Sequence, residues 1–152
     1  MIILKTVFLK IVSYFFKQIR FKFSVEEVVQ LLEQVTSSLG SKKYDKSDLA
    51  LIIRLNASLK THGQHMEMFH RELLDKAQVA LRNACKDTTL DIVARLHLLE
   101  IIELRAMKWV LTDSVINYYK QKLSMVDVST NLNFQIGGDT LKTDLRSLLF
   151  SR

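Results

Sequence analysis

The 152-residue chain contains no proline, only four glycines and a single cysteine. A β-rich fold needs frequent turns with special backbone angles, whereas antiparallel helices are joined by a few polar residues, so the scarcity of proline and glycine favours an all-α fold. One cysteine excludes an intramolecular disulfide, and the reading that follows is a protein of a reducing compartment, the cytosol or the nucleus, with the cytoplasm taken as the expected location. Cys85 itself, in Ala84-Cys85-Lys86 at the end of an expected helix, reads as a packed structural thiol. Long apolar runs are also missing, and none approaches the roughly 20 residues of a membrane span. Phosphate-binding loops, dinucleotide fingerprints, serine-nucleophile elbows and kinase signatures are absent, so the sequence supplies no warrant for catalysis, for a cofactor or for a bound metal. What is present is a 48% hydrophobic, 25% charged composition, enough apolar surface for a folded body in place of a disordered chain.

The formal charge of +6 first points to nucleic acid, but its distribution argues otherwise. Lys5, Lys10, Lys17, Arg20 and Lys22 stand in residues 1–23 with no acidic partner, contributing +5 and leaving the rest of the chain at +1. On a helix Thr6, Lys10, Ser13, Lys17 and Arg20 form a narrow polar stripe, with Phe8, Ile11, Phe15, Phe16 and Ile19 on the apolar remainder. Such a segment can pack as a first helix, lie in a membrane interface or serve as a targeting presequence, and pattern alone leaves these open.

The body is expected from Ser24 to Leu123. Ser24-Val25-Glu26-Glu27 is a capping box, followed by Val25, Val28, Val29, Leu32, Val35 and Leu39 at helical spacing and a left-handed stop at Gly40. Asp45 or Ser47 caps a second helix with Leu49, Ile52, Ile53 and Leu59, ending at Gly63. A third, from about Gln64 to Lys86, carries Met66, Phe69, Leu73, Ala77, Ala80, Leu81 and Ala84, and the short link makes the pair an antiparallel hairpin. Thr88 and Asp91 open a helix apolar nearly all round, the pattern of a central helix with Glu100, Glu103 and Arg105 partly enclosed and paired. Thr112 caps a shorter helix with Val115, Ile116, Tyr119 and Leu123. Residues 124–152 read as a polar linker containing Gly137-Gly138, then a short amphipathic helix with Leu141, Leu145, Leu148 and Leu149. The architecture expected is a HEAT-like stack of antiparallel hairpins with about five to seven helices.

Three groups of residues were weighed for chemistry. His62, His65 and His70 have no i, i+4 pair, so a zinc-ligand spacing is missing. His97 lies within the most apolar helix with no nucleophile tied to it by motif, which favours a packed histidine over a general base. Lys108, Trp109, Tyr118, Lys120 and Lys122 are basic and aromatic together, as in a partner or RNA surface; without a folded RNA motif the pattern favours a helix edge with Trp109 and Tyr119 packed and the lysines solvated.

Tyr44-Asp45-Lys46-Ser47-Asp48-Leu49, Ala80-Leu81-Arg82-Asn83-Ala84-Cys85, Ala94-Arg95-Leu96-His97-Leu98-Leu99-Glu100 and Glu103-Leu104-Arg105-Ala106-Met107-Lys108-Trp109 carry a resemblance. The stretch from Tyr44 to Leu123 resembles the helical N-terminal region of Mextli-type translation regulators, related to the middle domain of eukaryotic initiation factor 4G. The resemblance implies a non-catalytic scaffold or adaptor in translation initiation or mRNA regulation, with initiation-factor or ribonucleoprotein partners and RNA contacted directly or through them. A membrane-associated helical protein anchored by residues 1–23 is the alternative. The KH domain and cap-factor motif of that family are not evident: Gly137-Gly138 is not a Gly-x-x-Gly loop, and Tyr44-x4-Leu49 is followed by Ala50 where a larger apolar residue belongs.

Overall fold

The computed structural model describes residues 24–136, which form five helices without a strand: α1 (Val25–Ser41), α2 (Lys46–Phe69), α3 (Arg71–Lys86), α4 (Ile92–Ala106) and α5 (Asp113–Ile136). The segment 1–23, with Phe8, Ile11, Phe15, Phe16 and Ile19, and the expected amphipathic helix around Leu141–Leu149 lie outside the described residues.

Helix α1 begins as the capping box predicts. Ser24 Oγ accepts from the Glu27 amide at 3.3 Å, and a Glu27 carboxylate oxygen accepts from the Ser24 amide at 2.7 Å. Val28, Leu31, Leu32, Val35 and Leu39 face the core. The helix does not stop at Gly40, however. It runs to Ser41, and the left-handed position is taken by Lys42 at φ 54°. Asp45 then caps α2, with Asp48 completing a second reciprocal box by accepting from the Asp45 amide at 2.7 Å. Asp48 is buried because it also accepts a hydrogen bond from the Ser38 hydroxyl, which ties the end of α1 to the start of α2.

The expected stop at Gly63 is also displaced. Helix α2 passes through Gly63 and ends at Phe69, and the break falls at His70, whose φ of −135° leaves the helical region. His70 donates its amide to the Met66 carbonyl at 2.8 Å and accepts from the Leu74 amide at 3.1 Å, so a single residue serves both helices. Its effect on phase is physical: the apolar stripe drawn from Met66 through Phe69 to Leu73 is interrupted. Leu74 points inward beside Ala77, Leu81 and Ala84, while Phe69 is 66% exposed.

Asp91 alone caps α4, accepting from the Val93 and Ala94 amides at 2.8 and 3.2 Å. Thr88 is outside that cap, in a turn where Asp87 accepts from the Thr89 amide and hydroxyl at 3.0 and 2.7 Å. Thr112 does accept from the Val115 amide at 3.4 Å at the head of α5. That helix is longer than expected and continues through Ser124 to Ile136, so the polar stretch read as linker is helical up to that point. Ser124 and Ser129 donate to the carbonyls of Gln121 and Met125 and thereby turn their hydroxyls back onto their own helix.

Direction follows from the side-chain bonds. Tyr44, just before α2, donates to Asp87, just after α3, at 3.1 Å, so α3 returns along α2. Asn56 and Lys60 of α2 meet His97 and Glu100 of α4 in the same order, so α2 and α4 are parallel. Helices α1 and α3 lie side by side, α2 and α4 do the same, and α5 packs against α4. Two antiparallel hairpins, α1–α2 and α3–α4, are thus laid one on the other around a core of Leu32, Ile52, Leu55, Leu59, Met66, Leu98, Ile101 and Leu104. This arrangement is compatible with HEAT-like stacking.

Candidate interaction surface

Helix α4 is enclosed by α2, α3 and α5, and two polar networks hold it. In the first, Glu100, 2% exposed, binds Lys60 at 2.6 Å and accepts from Asn56 Nδ2 at 2.5 Å. The Asn56 amide also reaches His97 Nδ1 at 2.8 Å. Since Asn56 Nδ2 can only donate, Nδ1 is the acceptor and the imidazole is neutral, with its proton on Nε2. Burial lowers the His97 pKa in the same sense, opposed in part by the Glu100 charge. His97 is therefore a packed histidine in a positioning network, and among the described residues no serine, cysteine or threonine side chain is bonded to it.

The second network closes the far end of α2. Arg105 of α4 donates to both Glu67 oxygens at 3.0 and 2.9 Å and to Asp75 of α3 at 2.5 Å, so one guanidinium spans three helices. Those bonds hold the Glu67 carboxyl below its usual range, and Trp109 Nε1 adds a further donor at 3.3 Å.

Trp109 and Tyr119 take the packed positions of the helix-edge reading, and the structure shows how. The Trp109 φ of 62° and that of Lys108, 55°, turn the chain sharply after α4. The turn lays the indole over Gly63, leaving Trp109 7% exposed and unable to stack on an external base or ring. Tyr119 is likewise buried, donating to Glu103 at 2.6 Å, and burial with that carboxylate pushes its phenol up. Tyr118 stays half-buried, edge-on to Tyr119 at 5.1 Å, with Lys122 Nζ 5.3 Å from its ring centroid. Lys108 and Lys120 are exposed.

Around these lysines the structure adds three apolar side chains that the sequence analysis did not single out as surface. Val110 is 51% exposed, Leu111 39% and Ile116 43%, all in the α4–α5 connection or the first turns of α5. Ile116 and Lys120 are one helical turn apart and share a face. The signal was the apolar pair Val110-Leu111 directly after Trp109, where a connection between helices should be polar. The corner thus presents aliphatic side chains with the exposed Lys108 and Lys120 beside them in sequence, while Lys122 turns to Tyr118 on another side of α5. This chemistry suits a protein surface with apolar and acidic groups.

Elsewhere, His62, His65 and His70 do not converge, and no group of three metal-binding side chains occurs among the described residues. No helix among them is long and apolar enough to cross a membrane. A cleft of about 440 Å³ between Leu39, Lys42, Tyr44, Asn83, Lys86 and Asp87 closes the opposite end of the molecule. Tyr44 and Leu49 pack against the core, so the Tyr44-x4-Leu49 stretch is part of the fold and is not free as a linear motif.

The class defined by these features is an all-helical module of stacked hairpins with an apolar and basic corner. The chain is similar to proteins named for binding translation initiation factor 4E. The chain is 37% identical over 115 residues, 74% of its length, to the eukaryotic translation initiation factor 4E-binding protein Mextli of Drosophila melanogaster. It is 33% identical over 88 residues, 57% of its length, to the Mextli homolog of Caenorhabditis elegans. The chain spans only 17% of the length of each of these relatives. No family model matches the chain, and no solved structure matches it.

Proposed function

We propose that this chain is a non-catalytic helical scaffold in translation initiation or mRNA regulation, working in the cytoplasm and binding initiation-factor or ribonucleoprotein partners. The observation that carries this reading is the 37% identity to a translation initiation factor 4E-binding protein along 74% of the chain. The fold supports it: paired hairpins in two layers leave long surfaces for partners, as in HEAT-like stacks and as the resemblance to the initiation factor 4G middle domain implies. The α4–α5 corner is the surface we assign to the contact, through Val110, Leu111 and Ile116 with Lys108 and Lys120 beside them. RNA enters this reading through the partner, because Trp109 and Tyr119 are committed to the core and the body outside residues 1–23 is nearly neutral.

Affinity purification of the full chain with and without RNase tests it. Initiation factors, factor 4E among them, are expected to persist after RNase, and an Ile116→Glu/Lys120→Glu variant is expected to lose them by about tenfold, the scale of a charge placed in an apolar contact. Proteomes free of initiation and ribonucleoprotein factors would overturn the assignment. Retention of the factors by the variant would overturn the choice of corner alone.

A further inference from the structure

The end of the molecule where α1 and α3 finish holds the cleft of about 440 Å³ between Leu39, Lys42, Tyr44, Asn83, Lys86 and Asp87. Its volume falls within the roughly 300–1,000 Å³ of ligand sites. Leu39 and Ala84, both buried, floor it, and the hydrogen bond from Tyr44 to Asp87 at 3.1 Å ties its wall together across the start of α2 and the end of α3.

Lys42 is brought to the cleft by the backbone. It is the left-handed cap of α1, at φ 54°, with its amide donated to the Leu39 carbonyl and its side chain exposed. Lys86 ends α3, and Asn83, three positions earlier and on the same face, is exposed beside it. Deeper in the body Asn56 and Lys60 are bound to Glu100, but the same kinds of group stand open here. Among the described residues neither Lys42 nor Lys86 forms an ion pair, and the Asn83 carboxamide has no hydrogen-bond partner.

The mixture of groups selects the class of ligand. Two ammonium groups call for an anion, and Asp87 decides which kind. Bonds from Thr89, and a weaker contribution from Tyr44, hold its carboxyl below the usual range, so it is ionised at neutral pH and repels a run of phosphates. Its Oδ2 accepts from Tyr44 alone among the described residues, which leaves room for a further donor. Asn83 offers a donor and an acceptor together. A peptide answers all of these at once, with acidic side chains for the lysines and main-chain N–H and C=O groups for Asn83 and Asp87; a phosphate backbone has no N–H to give. Val79, 62% exposed and one helical turn before Asn83, adds an apolar contact on the same face of α3.

We propose that this cleft binds an acidic peptide segment of a partner protein, whose carboxylates meet Lys42 and Lys86, whose main chain pairs with Asn83 and Asp87, and whose apolar side chain lies against Leu39 and Val79. The site is at the opposite end from the α4–α5 corner and does not rest on the reading of that corner.

A random peptide library displayed on phage and selected on the full chain tests it. Enriched peptides are expected to carry acidic residues on both sides of an apolar one. Fluorescence polarisation with the strongest of them, made with blocked ends, is expected to show affinity falling by about tenfold or more in Lys42→Glu/Lys86→Glu and by about fivefold in Asn83→Ala. Ile116→Glu/Lys120→Glu is expected to leave it unchanged. All these positions are exposed, and thermal unfolding of each variant separates loss of the site from loss of the fold, with Asn83→Ala deciding if the charge reversals unfold the chain. Enrichment of no peptide, or of peptides without acidic residues, would overturn the proposal. So would affinity that survives the cleft substitutions, or displacement by poly(U) RNA as effective as by unlabelled peptide, which indicates a site for polyanions.

Discussion

A methyl group placed on Gly63 would meet Trp109 Cε3 at 2.2 Å and Cδ2 at 2.3 Å. This glycine serves close approach and not a turn, since it lies inside α2 and the indole rests on it. Two effects compete in Gly63→Ala. Helix propensity favours alanine by about 1 kcal/mol, but overpacking a fixed ring costs about 1–3 kcal/mol. A net loss of up to about 2 kcal/mol in urea unfolding is expected, with a red shift of Trp109 fluorescence as the indole is levered off α2. An unshifted spectrum would show that the ring does not sit there. Cys85 gives a second prediction at this scale. Burial pushes its thiol up to about 12, and the Arg95 charge only partly opposes this. Thiolate is the reactive form, so Cys85 should resist iodoacetamide at pH 8 and become alkylated only along the global unfolding curve. Fast labelling of the native protein would contradict the packed position.

Helix ends carry the next set of consequences. Gly40 has nothing within 4 Å of an added Cβ and stands inside α1, two residues before the left-handed Lys42. Gly40→Ala should therefore stabilise the protein by about 0.5–1 kcal/mol, through helix propensity and a less flexible unfolded chain. Lys42→Gly should also stabilise, by about 0.5 kcal/mol, because relief of left-handed strain outweighs glycine's extra unfolded entropy. Chemical denaturation of the two single variants checks both signs, and a destabilised Gly40→Ala would put the left-handed residue back at Gly40. The same displacement explains the α2–α3 junction. Glycine at position 63 looked like a stop, but a buried contact used it, and the chain broke at His70 instead. Beyond Ser124 the apolar pattern fades, yet α5 continues to Ile136, with Val126 buried and the Ser124 and Ser129 hydroxyls turned onto carbonyls of their own helix.

Acid sensitivity belongs to the whole molecule where the titrating groups join separate helices, as His97 and Glu67 do; Glu26, Asp45 and Asp87, also lowered, add to the loss in the carboxylate range. His97 has a folded pKa below its ordinary value of 6.5, so the unfolded chain binds its proton first. Its stabilising contribution is complete above about pH 6.5 and is lost as pH falls through that value toward the folded one. Glu67 is also lowered, so its contribution is present above the ordinary carboxylate range and lost as pH falls further through the folded pKa. Unfolding free energy should therefore drop in two stages on acidification. His97→Gln should flatten the first stage, near pH 6.5 and just below, and Glu67→Gln the second, below about pH 4.5. Denaturation curves collected at half-unit intervals of pH would show this, and a first stage undiminished in His97→Gln would remove the neutral imidazole from the network.

The all-α class, the capping of α1 at Ser24 and the enclosed character of α4 were legible in the sequence because each depends on residues close together along the chain. Ser24 and Glu27 meet within one turn, and the apolar positions around α4 recur whatever packs on them. The packing of Trp109 was legible as the plainer reading of its neighbourhood, but the partner it packs on was not, nor were the roles of Gly63 and Phe69. Whether a glycine stops a helix or admits an indole depends on a residue 46 positions away, and the turn that brings the indole there rests on two positive-φ residues that local pattern does not announce. Composition and periodicity thus determined that this chain forms amphipathic helices with a nearly neutral body. Tertiary packing decided where those helices break, which aromatics became core, and which apolar side chains were left at the α4–α5 corner and the α2–α3 junction, because burial is a property of contacts between distant residues.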